Sequence, residues 1–218
     1  MTHNPFTSKK AQDFAADNDW DGYFKAVLGK PPRDTLLKAL EHFDADPPST
    51  PHTTRLAVDL ACGEGRDTLE LLNRGWRVHA IDMTRSGLDM LNQRVKPEQK
   101  HLLQTQLATF AASRWDACDF LNCSYALPFC PPADFDELWQ RIVMSIKPGG
   151  RFAGQLFGER DTWSRSSHTL GHTRTQVEQL LSVFHVEMLN EEEKDDKTSM
   201  GDFKHWHVFH IVAKKSVT

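Results

Sequence analysis

One decapeptide limits the fold more than any other stretch of the chain: Val58-Asp59-Leu60-Ala61-Cys62-Gly63-Glu64-Gly65-Arg66-Asp67. The apolar run before it, starting at Leu56, reads as a buried strand. Residues 61–65 read as a tight loop, and residues 67–73, with Leu69, Leu71 and Leu72, as a helix that Gly75 stops in a left-handed turn. Gly63 and Gly65 carry no Cβ, so a ligand can approach the loop backbone. The start of the following helix offers free N–H groups to a carboxylate or phosphate. A second strand follows over residues 77–81, and Asp82 closes it, where an acid can hold ribose hydroxyls.

The same alternation continues. A helix over residues 84–95 carries Leu88, Leu91 and Val95 on one face. Strands are expected at 101–109 and within 115–125. A helix over 133–146 presents Phe135, Leu138, Trp139, Ile142 and Val143. Lys147-Pro148-Gly149-Gly150 is a turn leading to a strand at 151–157. Thr175 and Glu178 read as a capping box opening a helix that runs to residue 184. Strands at 186–189 and 206–213 flank the acidic run 191–196, read as a solvated loop. This rhythm predicts an α/β protein with an open, doubly wound, mostly parallel sheet, right-handed crossovers and a ligand beyond the carboxyl ends of its strands.

The 218 residues suit one domain with a small extension. Residues 1–54 read as a peripheral helical extension and linker, and residues 55–218 as the main domain. In the extension, Trp20, Tyr23, Phe24, Val27 and Leu28 recur at helical spacing. Pro31-Pro32 then breaks the chain, and Asp34 caps a second helix with Leu36, Leu37 and Leu40. Pro47-Pro48-Ser49-Thr50-Pro51 is linker-like. Lys and Arg total 26 against 30 Asp and Glu, which argues against broad nucleic-acid binding. No apolar run is long enough to span a membrane, and the first ten residues show no secretory pattern. Cys62, Cys118, Cys123 and Cys130 form no CxxC pair, so neither zinc nor a disulfide framework is expected, and a reducing cytoplasmic setting follows. The oligomeric state is not legible.

The loop's charge discriminates between cofactors. The dinucleotide fingerprint wants a third small residue where Thr68 stands, and Asp59 would repel a pyrophosphate. S-adenosylmethionine brings an ammonium for Asp59 and a carboxylate for the helix start. The segment 59–65 resembles motif I of the class I S-adenosylmethionine-dependent methyltransferases. Asp82 is similar to their ribose acid, Met83 to the residue on the adenine face, and Lys147-Pro148-Gly149-Gly150-Arg151 to the turn before their fifth strand. The resemblance implies a Rossmann-like sheet of seven strands, the last antiparallel, and methyl transfer as the activity. It is strongest to the tellurite-resistance and thiopurine methyltransferase group.

That resemblance implies a methionine pocket from Asp59, Ala61, Gly63 and Gly65, with Trp20 and Tyr23 closing over it. Many members hold the adenine with an Asp after the third strand. Here Gln106 is the substitute, its carbonyl accepting the amino group. Asn122-Cys123-Ser124-Tyr125 would sit by the transferred methyl, but it lacks the two prolines of the amino-methylating motif. His168 and His172, in a long loop at the ligand edge, and Tyr125 are the candidate catalytic groups. A thiolate or selenolate acceptor would need no base. The acceptor is therefore expected to be a small molecule bearing a thiol, metalloid or hydroxyl. Two alternatives stay open: a non-catalytic partner protein with this fold, and a nicotinamide-dependent oxidoreductase. In the last strand, alternation puts His205 and His207 on one face and Trp206 and His210 on the other, with no third group to complete a metal site.

Overall fold

The computed structural model describes residues 20–46, 54–165 and 169–216. Its helices are α1 (Asp21–Val27), α2 (Asp34–Ala45), α3 (Arg66–Asn73), α4 (Arg85–Arg94), α5 (Pro132–Ser145) and α6 (Arg174–Leu180). The strands are β1 (Leu56–Leu60), β2 (Arg77–Asp82), β3 (Leu103–Leu107), β4 (Cys118–Cys123), β5 (Ile146–Gly158), β6 (Gly171–His172), β7 (Phe184–Lys197) and β8 (Phe203–Lys215). They form one sheet of order β3-β2-β1-β4-β5-β8-β7, with the two-residue β6 paired beside β5. The pairs from β3 through to β5 are parallel. Only β8 enters antiparallel, between β5 and β7. Strand order reverses between β1 and β4, which opens a crevice at their carboxyl ends.

Alternate residues of the central strands feed two separate cores. Val58, Leu60, Leu121, Phe209 and Ile211 pack with Phe135, Trp139 and Ile142 of α5 and Val177 of α6. Ala57, Val78, Ala80 and Val212 pack on the other face with Leu36, Leu40 and Phe43 of α2, Leu71 and Leu72 of α3 and Leu91 of α4. Buried on both faces, these strands are mostly apolar, as parallel strands under helical cover are, and Asp59, His79, Asp82 and Asn122 are buried polar exceptions. The helix α2, expected at the periphery, is thus part of the second core.

Three local readings change. The helix expected to begin at Thr175 is capped by Thr173, whose Oγ1 accepts the Gln176 amide while the Gln176 side chain accepts the Thr173 amide. Both Thr173 and Thr175 precede a residue three positions on that can complete a box, and sequence spacing alone does not choose between them. The Lys147-Pro148-Gly149-Gly150 turn is a kink inside β5, with Gly149 at φ +78° and a register shift against β4. The acidic run lies wholly within β7. Its even members Glu192 and Asp196 flank Lys194 on the inner side, and both pair with it. On the outer face Glu191 meets His207, and Glu193 and Asp195 meet His205. Arg160 and Arg174 close that outer ladder. Cross-strand charge pairs of this kind hold acids in a strand that their own propensity disfavours. The linker at residues 47–51 and His168 lie outside the described residues.

Candidate active site

The crevice is built by the chain's tightest backbone. After β1, Ala61 (φ 59°), Gly63 (φ 56°) and Gly65 (φ 86°) all take left-handed conformations. A Cβ on Gly65 would stand 2.4 Å from Leu91 Cδ1. Gly87 in α4 is similarly pressed against the carbonyl of Gly63, 2.9 Å from where its Cβ would be. Loop and helix are therefore in backbone contact, as a Cβ-free loop permits. Asp82 fixes the loop from the next strand: its Oδ2 accepts the Gly63 amide at 2.8 Å, and its Oδ1 accepts both the amide and the hydroxyl of Thr84. Oδ1 is thereby filled, and Oδ2 retains a lone pair.

Behind the loop lies a buried carboxylate pair. Asp59 accepts from Thr68 Oγ1 at 2.5 Å and from Asn122 Nδ2 at 2.9 Å. The same Asn122 amide donates to Asp67 Oδ2 at 3.1 Å, which also accepts from Ser124. Asp67 Oδ1 accepts the Arg33 amide and so ties the start of α2 to the site. Asn122 is fully buried and holds both acids at once. Among the described residues no cationic side chain forms an ion pair with Asp59 or Asp67. Burial, and then the charge of Asp67, push the Asp59 carboxyl up to about 7. Nearby, Arg66 spends Nε and Nη2 on the Pro31 carbonyl. Its buried Nη1 has no partner among the described residues.

These groups open onto a cavity of about 790 Å³, within the usual range of small-molecule sites. Asp59, Ala61, Gly63, Asp82, Met83, Tyr125, Trp20 and Tyr23 all line it. Gly65 caps α3 at its edge. Gln106 does not reach the cavity. Its amide is spent on the backbone of Arg114, accepting the N–H at 3.1 Å and donating to the carbonyl at 3.2 Å. The segment after β3 lines the cavity instead, through residues 108–111. His172 is also elsewhere: it is buried on β6 with its ring 5.0 Å from that of Phe135, and burial holds its pKa down. Cys62 is buried, and its thiol is pushed far up by that burial, so it is no nucleophile.

Asp67, Arg66 and the last hairpin were missed. The signal for Asp67 was present, since it opens the helix after the glycine loop. The hairpin signal was hidden by reading the acidic run as a loop. Glu192, Lys194, Trp206, Val208 and His210 line the far end of the cavity, with Phe129, Phe157 and Trp163. Behind the two tryptophans, Lys204 Nζ lies 3.6 Å from the Trp163 ring centroid, 3.8 Å from that of Trp206 and 2.5 Å from Asp161 Oδ1. Burial outweighs that partner and lowers the lysine to about 8.

A parallel sheet reversing at β1 and β4, with an antiparallel β8, a glycine loop after β1 and an acid at the end of β2, defines the Rossmann-like methyltransferase fold. Residues 57–150 match the family described as methyltransferase domain. No curated protein matches the sequence. Among solved structures, TehB from Haemophilus influenzae superposes with a TM-score of 0.71 at 16% identity, over 89% of this chain and 66% of that one. This chain therefore spans about two thirds of that protein. The 1,6-didemethyltoxoflavin-N1-methyltransferase of Burkholderia thailandensis, with 1,6-didemethyltoxoflavin and S-adenosylhomocysteine bound, gives a TM-score of 0.67 at 18% identity over 99% and 93%. The magnesium protoporphyrin IX methyltransferase of Synechocystis PCC 6803, with S-adenosylhomocysteine bound, gives 0.67 at 12% over 94% and 98%. At these identities the likeness is one of fold.

Proposed function

We propose that this protein transfers the methyl group of S-adenosylmethionine to a small-molecule acceptor held at the far end of the same cavity. The observation that carries the reading is the buried Asp59–Asp67 pair, which lacks a cationic partner among the described residues. Two adjacent buried carboxylates, with the proton affinity of Asp59 raised, call for a cation, and a ligand ammonium supplies one. The unpartnered Nη1 of Arg66 suits the carboxylate of the same amino acid. Asp82 Oδ2 has a lone pair left for a ribose hydroxyl. Met83 and the backbone of residues 108–111 are placed to hold the base, in the role expected of Gln106.

Bound S-adenosylmethionine brings a methyl already activated by a sulfonium. The chain's work is to align an acceptor with that carbon and to keep water out. Trp20, just before α1, and Tyr23 on it cover the methionine end, and Phe24 lies against Gly63. No helix among the described residues is long and apolar enough to cross a membrane. The four cysteines are free and buried, in keeping with a reducing cytoplasmic setting. Isothermal titration with S-adenosylhomocysteine tests the reading. Binding in the micromolar range is expected, and no heat at hundreds of micromolar would sink it.

A further inference from the structure

We propose that His210, held by Glu192, is the general base of this site, and that the acceptor is an uncharged aromatic molecule bearing an ionisable hydroxyl. The inference rests on methyl transfer from S-adenosylmethionine in this cavity.

The dyad is defined by geometry. His210 Nε2 lies 3.0 Å from Glu192 Oε2 across the β7–β8 hairpin. Lys194 holds the other oxygen of Glu192 at 2.6 Å and keeps the carboxyl below the usual range. An ionised carboxylate only accepts, so Nε2 carries the proton. In a neutral imidazole the other nitrogen is then the acceptor. Nδ1 has no hydrogen-bond partner among the described residues, and the residue lines the cavity. Burial lowers the imidazole's proton affinity despite Glu192, which keeps the ring neutral and able to take a proton. The groups around it are Glu192 and Lys194 on β7, Asp34 on α2 and Tyr125 after β4, whose ring centroid is 6.1 Å away.

The position suits the reaction. Tyr125 follows Asn122 and Ser124, which hold the acid pair, and Gln155 Oε1 accepts its amide at 2.9 Å. Gln155 is paired with His210 across β5 and β8. The imidazole thus stands beside the end of the cavity that faces away from Asp82.

The chemistry of the walls selects the acceptor. Phe129, Trp163 and Trp206 form a continuous aromatic surface, with ring centroids 5.9 Å and 5.4 Å apart along it. Trp20 extends it, 5.8 Å from Phe129. Such a surface favours a flat aromatic ring. A cationic acceptor gains little from these rings, because the Lys204 ammonium already lies against Trp163 and Trp206 from behind and draws on the same π-systems. The charges at the base are mixed, Glu192 and Asp34 against Lys194 and Arg33, so an anionic acceptor gains no net attraction there. A neutral phenol-like group meets neither objection.

The step balances. Nδ1 of His210 takes the hydroxyl proton as the acceptor oxygen forms its bond to the methyl carbon. The carbon–sulfur bond breaks with its electron pair on sulfur. The products are an aryl methyl ether, the neutral thioether and an imidazolium that returns its proton to water.

Two measurements test this, both beside a titration with S-adenosylhomocysteine that checks the underlying reading separately. The first is a ¹⁵N NMR spectrum of the histidine side chains at neutral pH, assigned with His210→Gln. His210 should show a protonated Nε2 and a bare Nδ1. An imidazolium, or a proton on Nδ1, would overturn the proposal. The second is methylation of 4-methylphenol, 8-hydroxyquinoline and 4-nitrothiophenol. His210→Gln should bind S-adenosylhomocysteine within twofold of wild type and lose roughly 100-fold or more in kcat with a phenol, as loss of a general base does. The already ionised thiol should lose less than about threefold. Wild-type protein that binds S-adenosylhomocysteine yet methylates neither phenol, or equal losses with phenol and thiol in the variant, would also overturn it.

Discussion

The carboxylate of Asp82 accepts the amide of Gly63 at 2.8 Å, so the acid that ends the second strand also sets the shape of the loop after the first. Its other oxygen serves Thr84 at the start of α4. One side chain therefore does two things: it fixes the glycine loop, and through Oδ2 it presents a spare lone pair to the crevice. Asp82→Ala should weaken S-adenosylhomocysteine binding roughly 100-fold, since hydrogen bonds to a charged group contribute about 1.5–3 kcal/mol each. It should also destabilise the free protein by roughly 1–3 kcal/mol, because the Gly63 amide is left buried without its acceptor. Titration calorimetry and urea unfolding separate the two losses. Unchanged affinity would contradict the ribose role.

Asp59 makes cofactor binding depend on pH. Its carboxyl is raised from the ordinary 3.8 to about 7 in the free protein, first by burial and then by Asp67. Below that value it holds a proton and cannot pair with an ammonium. Affinity for S-adenosylhomocysteine should therefore fall as the pH drops below about 7, by up to tenfold per unit, and level off above it. Stability runs the opposite way. Between pH 3.8 and about 7 the folded chain binds more protons than the unfolded one, so this group's contribution declines as the pH rises. Asp59→Asn removes the charge and can keep partners in Thr68 and Asn122. At pH 8 it should raise the Tm of the free protein by a few degrees, at roughly 2–4 °C per kcal/mol for this size, while abolishing the pH slope of binding. A lower Tm together with an intact slope would refute the assignment.

The fold was legible because the constraints on it are local. An apolar strand, a Cβ-free loop and a helix in that order leave few alternatives, and β1, α3 and β2 lie where those residues put them. Asp59, Asp82 and the glycines could be read from the same pattern, and all but Gly65 open directly onto the cavity. Contacts between distant segments were not legible. Nothing in the sequence near Gln106 indicates that Arg114 will take its amide. The run Glu191-Glu192-Glu193 looks solvated until the histidines and Arg160 of other segments are placed opposite it. His210 acquires a role only when the hairpin brings Glu192 to it.

Two glycines with similar backbone angles separate strain from crowding. Gly65 (φ 86°) and Gly149 (φ 78°) are both left-handed. A Cβ on Gly149 would meet open space, whereas one on Gly65 would collide with Leu91. Gly149→Ala should cost about 1–2 kcal/mol, from the left-handed conformation alone. Gly65→Ala should add roughly 1–3 kcal/mol of overpacking, and it should weaken cofactor binding because Leu91 and the loop must shift together. Urea unfolding of the two variants provides the comparison, and equal losses would contradict the crowding argument.

Lys204 supports the aromatic wall from behind. Its ammonium is 2.5 Å from Asp161, which is fully buried and also accepts the amides of Trp163 and His207. Lys204→Met preserves most of the packing volume and removes the charge, leaving the Asp161 carboxylate unpaired. Breaking a buried pair from one side costs about 3–5 kcal/mol, far more than the pair itself contributes relative to apolar residues. The variant should unfold at a correspondingly lower urea concentration. Its affinity for S-adenosylhomocysteine should stay within about twofold, because Trp163 and Trp206 stand between Lys204 and the cavity. A loss under about 1 kcal/mol would mean that Asp161 is neutral in the folded protein, and the cation would then not be what holds Trp163 and Trp206 in place.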